Sequence, residues 1–264
     1  NDGTGSFTLE QKFETSRTYS IALGDLDGDG DLDAMFAANA GQNTVWTNDG
    51  TGILTDSGQR LGLGRSNSVV LGDLDGDGDL DAMVANYGDV GANGQPNNVW
   101  TNDGTGTFCP GSDTCTTNPG QALGNRNSSS VALGDFDGDG KLDAMVANYG
   151  QPNIVWSNDG TGKFTNSLQA LGLRDSNSVA LGDLDGDGDL DAMVANEGAN
   201  IVWLNTVTGT GVCCAPSGCV VSTENLAGYC EAIGGVYIPN GSCSECIPTC
   251  PVDLNGDGVV NGQD

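Results

Sequence analysis

Short apolar runs separated by Gly, Asn and Asp recur along most of the chain. In the first copy, "SIAL", "DAMFAA" and "NTVWTN" follow one another, and each has the length of a strand but is too short for a helix. The "NDGTG" segments at Asn48, Asn102 and Asn158 supply the residues that tight hairpin turns require. Another strand follows, as in "GILTDS" and "GKFTNS". The pattern predicts about four antiparallel strands per unit.

Four copies of one unit, S-x-x-V-A-L-G-D-L-D-G-D-G-D-L-D-A-M-V-A-N, account for these runs. Their first aspartates are Asp25, Asp73, Asp135 and Asp183, which gives spacings of 48, 62 and 48 residues. The longest spacing contains the insertion "CPGSDTCTTNPG". One four-stranded sheet cannot bury both faces, so several must pack face to face. We therefore predict an all-β fold, a β-propeller of four-stranded antiparallel blades over residues 1–208, followed by a small disulfide-rich module at 209–251.

Two residue types mark the predicted core. The four tryptophans share one repeat position and the four methionines another, which favours packing between blades over ligand stacking. At the start of the chain, "NDGTGSFTLE" matches the tail of a unit. We predict that the strand near Ser6–Glu10 completes the sheet that contains Trp203 and closes the ring. If it completes the sheet of a neighbouring molecule instead, the same sequence builds a polymer.

Charge limits the partners of this fold. The chain has 36 acidic and 8 basic residues and a net charge of −28, which repels nucleic acid and anionic lipid. It also lacks an apolar run long enough to span a bilayer. We expect no nucleic-acid partner and no membrane insertion, and cations are the natural partners.

The aspartates of each copy alternate with small residues in a loop between two apolar strands. An oxygen-only set of this kind is what a hard cation such as Ca²⁺ requires. We assign loop positions 1, 3, 5 and 9 as carboxylate ligands and position 7 as a backbone carbonyl, because position 7 is Lys141 in one copy. A solvated acidic loop is the alternative, and four copies in register disfavour it. The predicted ligands are Asp25, Asp27, Asp29, Asp31, Asp33, Asp73, Asp75, Asp77, Asp79, Asp81, Asp135, Asp137, Asp139, Lys141, Asp143, Asp183, Asp185, Asp187, Asp189 and Asp191.

The loop motif D-x-D-G-D-G-x-x-D resembles the FG-GAP/VCBS repeats of integrin α-subunit propellers and of many bacterial surface proteins. This resemblance spans about residues 1–208 and implies about four calcium ions in the propeller. Such propellers commonly have more blades than the four units here. A compact ring, a fragment of a larger ring and closure through assembly all stay open.

The cysteines indicate an oxidising compartment. There are nine, seven of them between Cys213 and Cys250, in a chain without histidine, which favours disulfides over zinc. We expect Cys109 to pair with Cys115; the zinc alternative would use Cys243 and Cys246. The segment looks like a short cysteine-rich module of secreted bacterial proteins, so we expect an extracellular or cell-surface location.

The last residues, "DLNGDGVVNGQD", have the ligand spacing of an EF-hand-type loop. They resemble the first calcium repeat of a type I dockerin, and residues 252–264 are predicted to hold a fifth calcium ion. An ordinary Asn/Asp/Gly-rich tail is the alternative. The assigned ligands are Asp253, Asn255, Asp257, Asn261 and Asp264, with the carbonyl of Val259 at position 7.

Common catalytic patterns are absent from the sequence: it has no histidine, no G-x-S-x-G and no phosphate-binding Gly-Lys motif. We expect a non-catalytic, extracellular, calcium-stabilised structural or adhesive protein, the self-associating subunit of a surface fibre. The alternative is a monomeric carbohydrate-binding, lectin-like adhesin, and a calcium-dependent polysaccharide-active enzyme is a third reading. The partner is then the chain itself, by head-to-tail or strand-exchange assembly, or an extracellular glycan or protein.

Overall fold

The structure, a computed structural model, describes residues 17–88, 94–108 and 121–205, together with residues 5, 7 and 9–13. For four further strand segments, at 114–115, 211–215, 218–222 and 236–238, only the backbone is described, with 211–215 central among the last three. The cysteine pairings, Cys243, Cys246 and the six ligands of the C-terminal loop (Asp253, Asn255, Asp257, Val259, Asn261, Asp264) lie outside the described residues. No helix occurs in the described part of the chain, and none of its segments is long and apolar enough to be a membrane-spanning helix.

Blade-like antiparallel sheets make up residues 17–205, which confirms the predicted all-β class. Blade 1 contains β1 (Thr18–Gly24), β2 (Asp33–Ala38), β3 (Asn43–Asn48) and β4 (Leu54–Leu61), and the two-residue strand β8 (Thr114–Cys115) pairs parallel to β4. Blade 2 contains β5 (Arg65–Gly72), β6 (Asp81–Tyr87), β7 (Gln95–Trp100) and β9 (Gln121–Arg126).

The third and fourth sheets repeat this order. Blade 3 contains β10 (Ser128–Gly134), β11 (Asp143–Asn148), β12 (Gln151–Asn158) and β13 (Phe164–Arg174). Blade 4 contains the three strands β14 (Ser176–Gly182), β15 (Asp191–Asn196) and β16 (Ile201–Trp203). A separate small sheet has β17 (Gly211–Ala215) between β18 (Gly218–Ser222) and β19 (Val236–Ile238).

The chain divides into two compact units. The first comprises Asn1–Gly134, Gly140–Ala180 and Met193–Ile201, and it holds blades 1 to 3 apart from a short part of one loop. The second comprises Asp135–Asp139, Leu181–Ala192 and Val202–Asp264, which includes the small sheet of β17 to β19.

The second strand of each blade is the most deeply buried. All six residues of "DAMFAA" in β2 and of "DAMVAN" in β11 are buried, because these strands lie between two others and both of their faces pack. Two apolar clusters form the described core, one joining blades 1 and 2 and the other joining blades 2 and 3. The methionine of each of the first three blades is buried as predicted. The prediction is wrong for Met193, which is exposed because no blade follows it among the described residues.

The N-terminal strand prediction stays a prediction. The described residues of that segment, 5, 7 and 9–13, belong to no strand, and the sheet that contains Trp203 has three strands.

Candidate metal centres

Each aspartate-rich loop joins the first strand of a blade to the second. In blade 1 the loop leaves the sheet after Gly24, whose register partner is Asp33 at the start of β2. Within it, Gly28 and Gly30 have positive φ angles of 77° and 92°, a conformation that glycine adopts without steric cost. The alternation of aspartate with glycine is therefore what lets the chain curl back on itself within nine residues.

The first aspartate of each loop shapes the backbone around it. The two carboxylate oxygens of Asp25 accept hydrogen bonds from the amides of Gly28, at 2.8 Å, and Gly30, at 3.0 Å. Asp73 and Asp183 accept the same pair of bonds in their loops, and Asp135 accepts bonds from Gly138 and Asp139. Charged acceptors of this kind form the stronger hydrogen bonds of a protein. The loops are thus held in one conformation by their own residues.

The ninth position is a structural anchor as well as a predicted ligand. Asp33 is fully buried, and its carboxylate accepts hydrogen bonds from the amides of Leu26, at 2.9 Å, and Asn48, at 2.8 Å. Asp81 and Asp191 make the equivalent two bonds, and Asp143 accepts from the amide of Asn158. This carboxylate therefore ties the loop to the end of the third strand. The sequence indicated the ligand role and gave no sign of the anchor.

Carboxylates gather in every loop. In each of the four groups that could hold a metal ion, one ligand atom from each of three aspartates lies within 4.8 Å of the others. Positions 1 and 3 occur in all four groups, and the third member is position 5 in the first loop and position 9 in the others. The groups are Asp25, Asp27 and Asp29; Asp73, Asp75 and Asp81; Asp135, Asp137 and Asp143; and Asp183, Asp185 and Asp191.

The remaining predicted carboxylate ligands lie outside these triads. They are Asp33, Asp77, Asp139 and Asp187. Each is in the same loop as a triad. Asp77 and Asp187 each accept a hydrogen bond from the amide two residues later, at 2.9 and 3.0 Å, as Asp29 of the first triad does at 2.9 Å. The structure therefore brings together three of the four predicted carboxylates in each loop.

The side chain at position 7 lies against a glycine of the nearby hairpin turn. A Cβ atom added to Gly50 would lie 2.6 Å from Oδ2 of Asp31, and one added to Gly160 would lie 2.7 Å from Cδ of Lys141. Asp79 has the same relation to Gly104. These side chains are outside the four triads, as is Asp189. Such a placement is compatible with a ligand role for the backbone carbonyl at position 7.

The electrostatics of the loops favour a cation. Loss of solvent raises the pKa of the aspartate at position 3, and neighbouring carboxylates raise it further, in all four loops: Asp27, Asp75, Asp137 and Asp185. Burial raises the pKa of Asp81 to about 6. A bound divalent cation would stabilise the charged forms that this environment disfavours. The donor set holds oxygen atoms only, which fits Ca²⁺ and not a metal that prefers nitrogen or sulfur.

The aspartates of the NDGT turns have another role. The hydroxyl of the threonine two residues later lowers the pKa of each of these carboxylates by donating a hydrogen bond to it, at 2.5 to 2.6 Å: Asp49, Asp103 and Asp159. These bonds fix the turn, so this set of carboxylates is accounted for by local structure.

Comparison with known proteins gives one family. The sequence matches the FG-GAP-like repeat over residues 25–84, 88–146 and 135–194. FG-GAP repeats often bind calcium and are typical of extracellular or surface proteins, and the family is typically non-catalytic. No curated protein matches the chain.

Three solved structures resemble the chain at low sequence identity. The computationally designed Ika4 protein is 14% identical, with a TM-score of 0.46, over 76% of this chain and 98% of the designed one. BBS1N, crystallised in complex with ARL6DN, is 12% identical, with a TM-score of 0.46, over 78% of this chain and 62% of its own. The V. cholerae biofilm matrix protein Bap1 is 15% identical, with a TM-score of 0.43, over 75% of this chain and 31% of its own.

Proposed function

The chain belongs to the FG-GAP-like repeat family, and from that premise we propose that it is a non-catalytic, extracellular structural or adhesive protein whose blades are stabilised by calcium. The observation that carries the proposal is the aspartate triad in every loop, because positions 1 and 3 and a third aspartate form an oxygen-only group in all four loops. One such group is a common surface feature, whereas four in register indicate a shared requirement for a cation.

Stabilisation follows from the position of the loops. Each loop is anchored by its ninth aspartate to the end of the third strand of its blade, so an ion held in the loop would reinforce the link between the first three strands of one sheet. With a dissociation constant of about 0.1 mM and about 10 mM calcium, each site would contribute roughly 2.7 kcal/mol to the free energy of unfolding. Four sites are enough to decide whether a domain of ordinary stability folds.

An extracellular location would meet the requirement of the loops for calcium. Calcium is abundant outside cells, and the nine cysteines are typical of proteins that mature in an oxidising compartment. Self-association into a surface fibre is the form of this function that we favour.

A calcium titration tests the proposal. Protein stripped with a chelator is titrated by calorimetry, and its thermal unfolding is followed with and without calcium. About four equivalents of calcium should bind, and Tm should rise by many degrees, since a domain of this size shifts by about 2–4 °C per kcal/mol. Magnesium at the same concentration is the control. The absence of both binding heat and a shift in Tm would overturn the proposal.

A cavity between blade 2 and the connection from β4 to β5 favours a second candidate function, glycan binding by a lectin-like adhesin. The cavity has a volume of about 240 Å³ and is lined by Gly62, Gly64, Asn86, Gln95 and Trp100. The buried indole N–H of Trp100 has no hydrogen-bond partner within the described part of the chain. Screening on glycan arrays, with Gln95→Ala as the variant, tests this candidate; uniform lack of binding would remove it.

A further inference from the structure

The contact between neighbouring blades follows a fixed pattern. Between blades 1 and 2, Met35 and Val45 of the earlier blade join one apolar cluster with Val69 and Trp100 of the later blade. The contact between blades 2 and 3 uses the same repeat positions: Met83, Val99, Val131 and Trp156. Each blade therefore has a leading side, which meets the blade before it, and a trailing side, which meets the blade after it.

A glutamine of the outer strand of one blade binds the backbone of the next blade across this contact. The side chain of Gln59 in blade 1 accepts a hydrogen bond from the amide of Phe108, at 2.9 Å, and donates one to the carbonyl of Gly106, at 2.6 Å. Gln121 of blade 2 makes the same kind of pair with the amide and carbonyl of Phe164 in blade 3, both at 2.7 Å. This glutamine clamp recurs wherever one complete blade follows another among the described residues.

Residues 11–13 place the same clamp on blade 1. Gln11 accepts from the amide of Leu54, at 2.9 Å, and donates to its carbonyl, at 2.7 Å. The ring of Phe13 lies 5.0 Å from that of Trp46 and 5.2 Å from that of Phe36. Trp46 of blade 1 corresponds to Trp100 of blade 2. In the first apolar cluster, Trp100 packs with Leu61 of the outer strand of the preceding blade. Residues 11–13 thus occupy, on blade 1, the place of the outer strand of a preceding blade.

Only part of the leading side of blade 1 is covered in this way. Ile21 is 55% exposed, whereas the residues at its repeat position in blades 2 to 4 are 4 to 7% exposed: Val69, Val131 and Val179. Leu23 and Leu32 are 60% and 58% exposed. We call Ile21, Leu23 and Leu32 the leading positions. Their counterparts Leu71 and Leu80 pack against the first apolar cluster.

The trailing side of blade 4 is exposed at the complementary positions. Met193 is 47% exposed, whereas its counterparts in the other three blades are at most 1% exposed: Met35, Met83 and Met145. Leu184 and Val202 are 52% and 49% exposed, although Leu26 and Val45 at the same repeat positions of blade 1 are buried. We call Leu184, Met193 and Val202 the trailing positions.

The sequence of an outer strand for blade 4 is present in the chain. The described sheet of blade 4 has three strands. "NDGTGSF" at residues 1–7 repeats "NDGTGTF" at 102–108 and "NDGTGKF" at 158–164, which lead to the phenylalanines held by the glutamine clamps. Phe7 is 86% exposed, and Gln169, at the repeat position of Gln59 and Gln121, is exposed in β13.

We propose that a second copy of this chain covers these positions. The trailing positions of one copy pack on the leading positions of the next, and the N-terminal segment of the next copy adds the fourth strand to blade 4 of the first. Gln169 of the first copy would then clamp the backbone of Phe7, while Gln11 holds Leu54 within the next copy. This inference rests on the proposed function and names its partner.

This contact between two copies, the joint, would repeat contacts that neighbouring blades make within one chain. Asn102 and Asn158 donate their side-chain amides to the carbonyls of Leu26 and Leu74 in the preceding blade, at 2.7 and 2.8 Å. In blade 1 the same amide, of Asn48, donates to Leu32 of its own loop at 3.2 Å. Across the joint it would meet the carbonyl at position 184 of the other copy. The proposed contact between copies therefore has the same kind of bond as the observed contacts between neighbouring blades.

The joint is heterologous, because it unites two different surfaces, so it propagates until the assembly closes or continues as a fibre. The net charge of −28 opposes assembly, and calcium bound in the loops would reduce this repulsion. Assembly should therefore require calcium.

A capping experiment tests the joint. Ile21→Asp blocks the leading positions and Met193→Glu blocks the trailing positions; both residues are exposed, so neither change should unfold the chain. Sedimentation velocity in millimolar calcium should show species larger than a dimer for the wild type and monomers for each variant alone. An equimolar mixture of the two variants should form dimers and nothing larger, because one intact surface of each kind remains. Ile53→Asp, at a position that is Thr107 and Lys163 in other blades, is the matched control and should assemble as the wild type does.

Calcium binding measured on the same samples separates the two proposals. A wild type that binds calcium but stays monomeric at every concentration would overturn the joint and leave the proposed function intact; closure of the ring within one chain would give this result. Variants that still assemble alone would also overturn it. Failure of the wild type to bind calcium would overturn the proposed function itself.

Discussion

Asn158 of blade 3 donates its side-chain amide to the carbonyl oxygen of Leu74, 84 residues earlier in the loop of blade 2, at 2.8 Å. The same amide reaches the carbonyl of Leu142 in its own blade, at 3.1 Å. One side chain therefore links the loops of two neighbouring blades.

Replacing this amide should weaken the contact between blades 2 and 3. We expect Asn158→Ala to lower the free energy of unfolding by about 0.5–1.5 kcal/mol, because it removes one donor from the carbonyl of Leu74, which keeps the amide of Gly162, and one from the carbonyl of Leu142. Urea denaturation in the presence of calcium measures the loss. Asn48→Ala is the matched control, since the amide of Asn48 bonds within its own blade, and it should cost clearly less. Equal losses in the two variants would contradict a role for the cross-blade bond.

Substitutions at positions 3 and 7 of the second loop should have different effects on calcium binding. Asp75 belongs to the triad of that loop, so Asp75→Asn should weaken one site by about tenfold or more, since affinity depends on the charge of the ligands. Asp79→Lys introduces the residue type that Lys141 provides in the third loop, and it should leave the number of bound ions unchanged. Calorimetry counts the ions in each variant. Loss of a site in Asp79→Lys would show that its carboxylate is a ligand.

The hairpin turn of blade 2 should not tolerate a side chain at Gly104. This residue has a φ of 75°, and an added Cβ would collide with the carboxylate of Asp79. We expect Gly104→Ala to cost about 1–2 kcal/mol from the backbone conformation alone, with a further loss from the collision. Gly52→Ala is the control, because Gly52 has a φ of 81° and open space around it. If the two changes cost the same, the contact with Asp79 contributes nothing.

The contribution of the Arg60–Asp56 ion pair of blade 1 to the free energy of unfolding should decrease at acidic pH. Arg60 donates to both carboxylate oxygens of Asp56, at 2.6 and 2.9 Å, and this bonding lowers the pKa of Asp56 below 3.8. A carboxylate whose pKa is lowered by folding stabilises the protein above its unfolded pKa, and that contribution is lost as the pH falls through the folded pKa. Arg60→Ala should therefore cost about 0.2–1 kcal/mol at pH 7, as exposed pairs do, and less near pH 3. Urea denaturation at both pH values measures this, and an unchanged difference would contradict it.

Much of the architecture follows from repeat spacing. The apolar runs and NDGTG turns predicted four strands per unit, and the structure confirms this for blades 1 to 3. The role of position 7 as a backbone-carbonyl ligand stays a prediction, and it rests on one copy that replaces aspartate with Lys141. Alignment of internal copies thus identifies residues whose chemistry is shared, even from a single chain.

Contacts between blades could not be derived in this way. Gln59 and Gln121 share a Q-x-L-G motif in their outer strands, but the motif does not indicate which backbone groups the glutamine side chains bind. Their partners are more than 40 residues away, and their meeting depends on how one sheet packs on the next. The exposure of Met193 has the same origin, since burial of the trailing side depends on which blade follows.

The bonds of Asn102 and Asn158 each join a blade only to the one before it. Because each blade is held by its nearest neighbours, the blades of such a chain are expected to unfold one at a time under tension. A repeat of 48 residues releases roughly 160 Å of extended chain when its blade opens. Force applied along the chain would therefore be dissipated in discrete steps, and the cation held in each loop would set the tension at which that blade gives way.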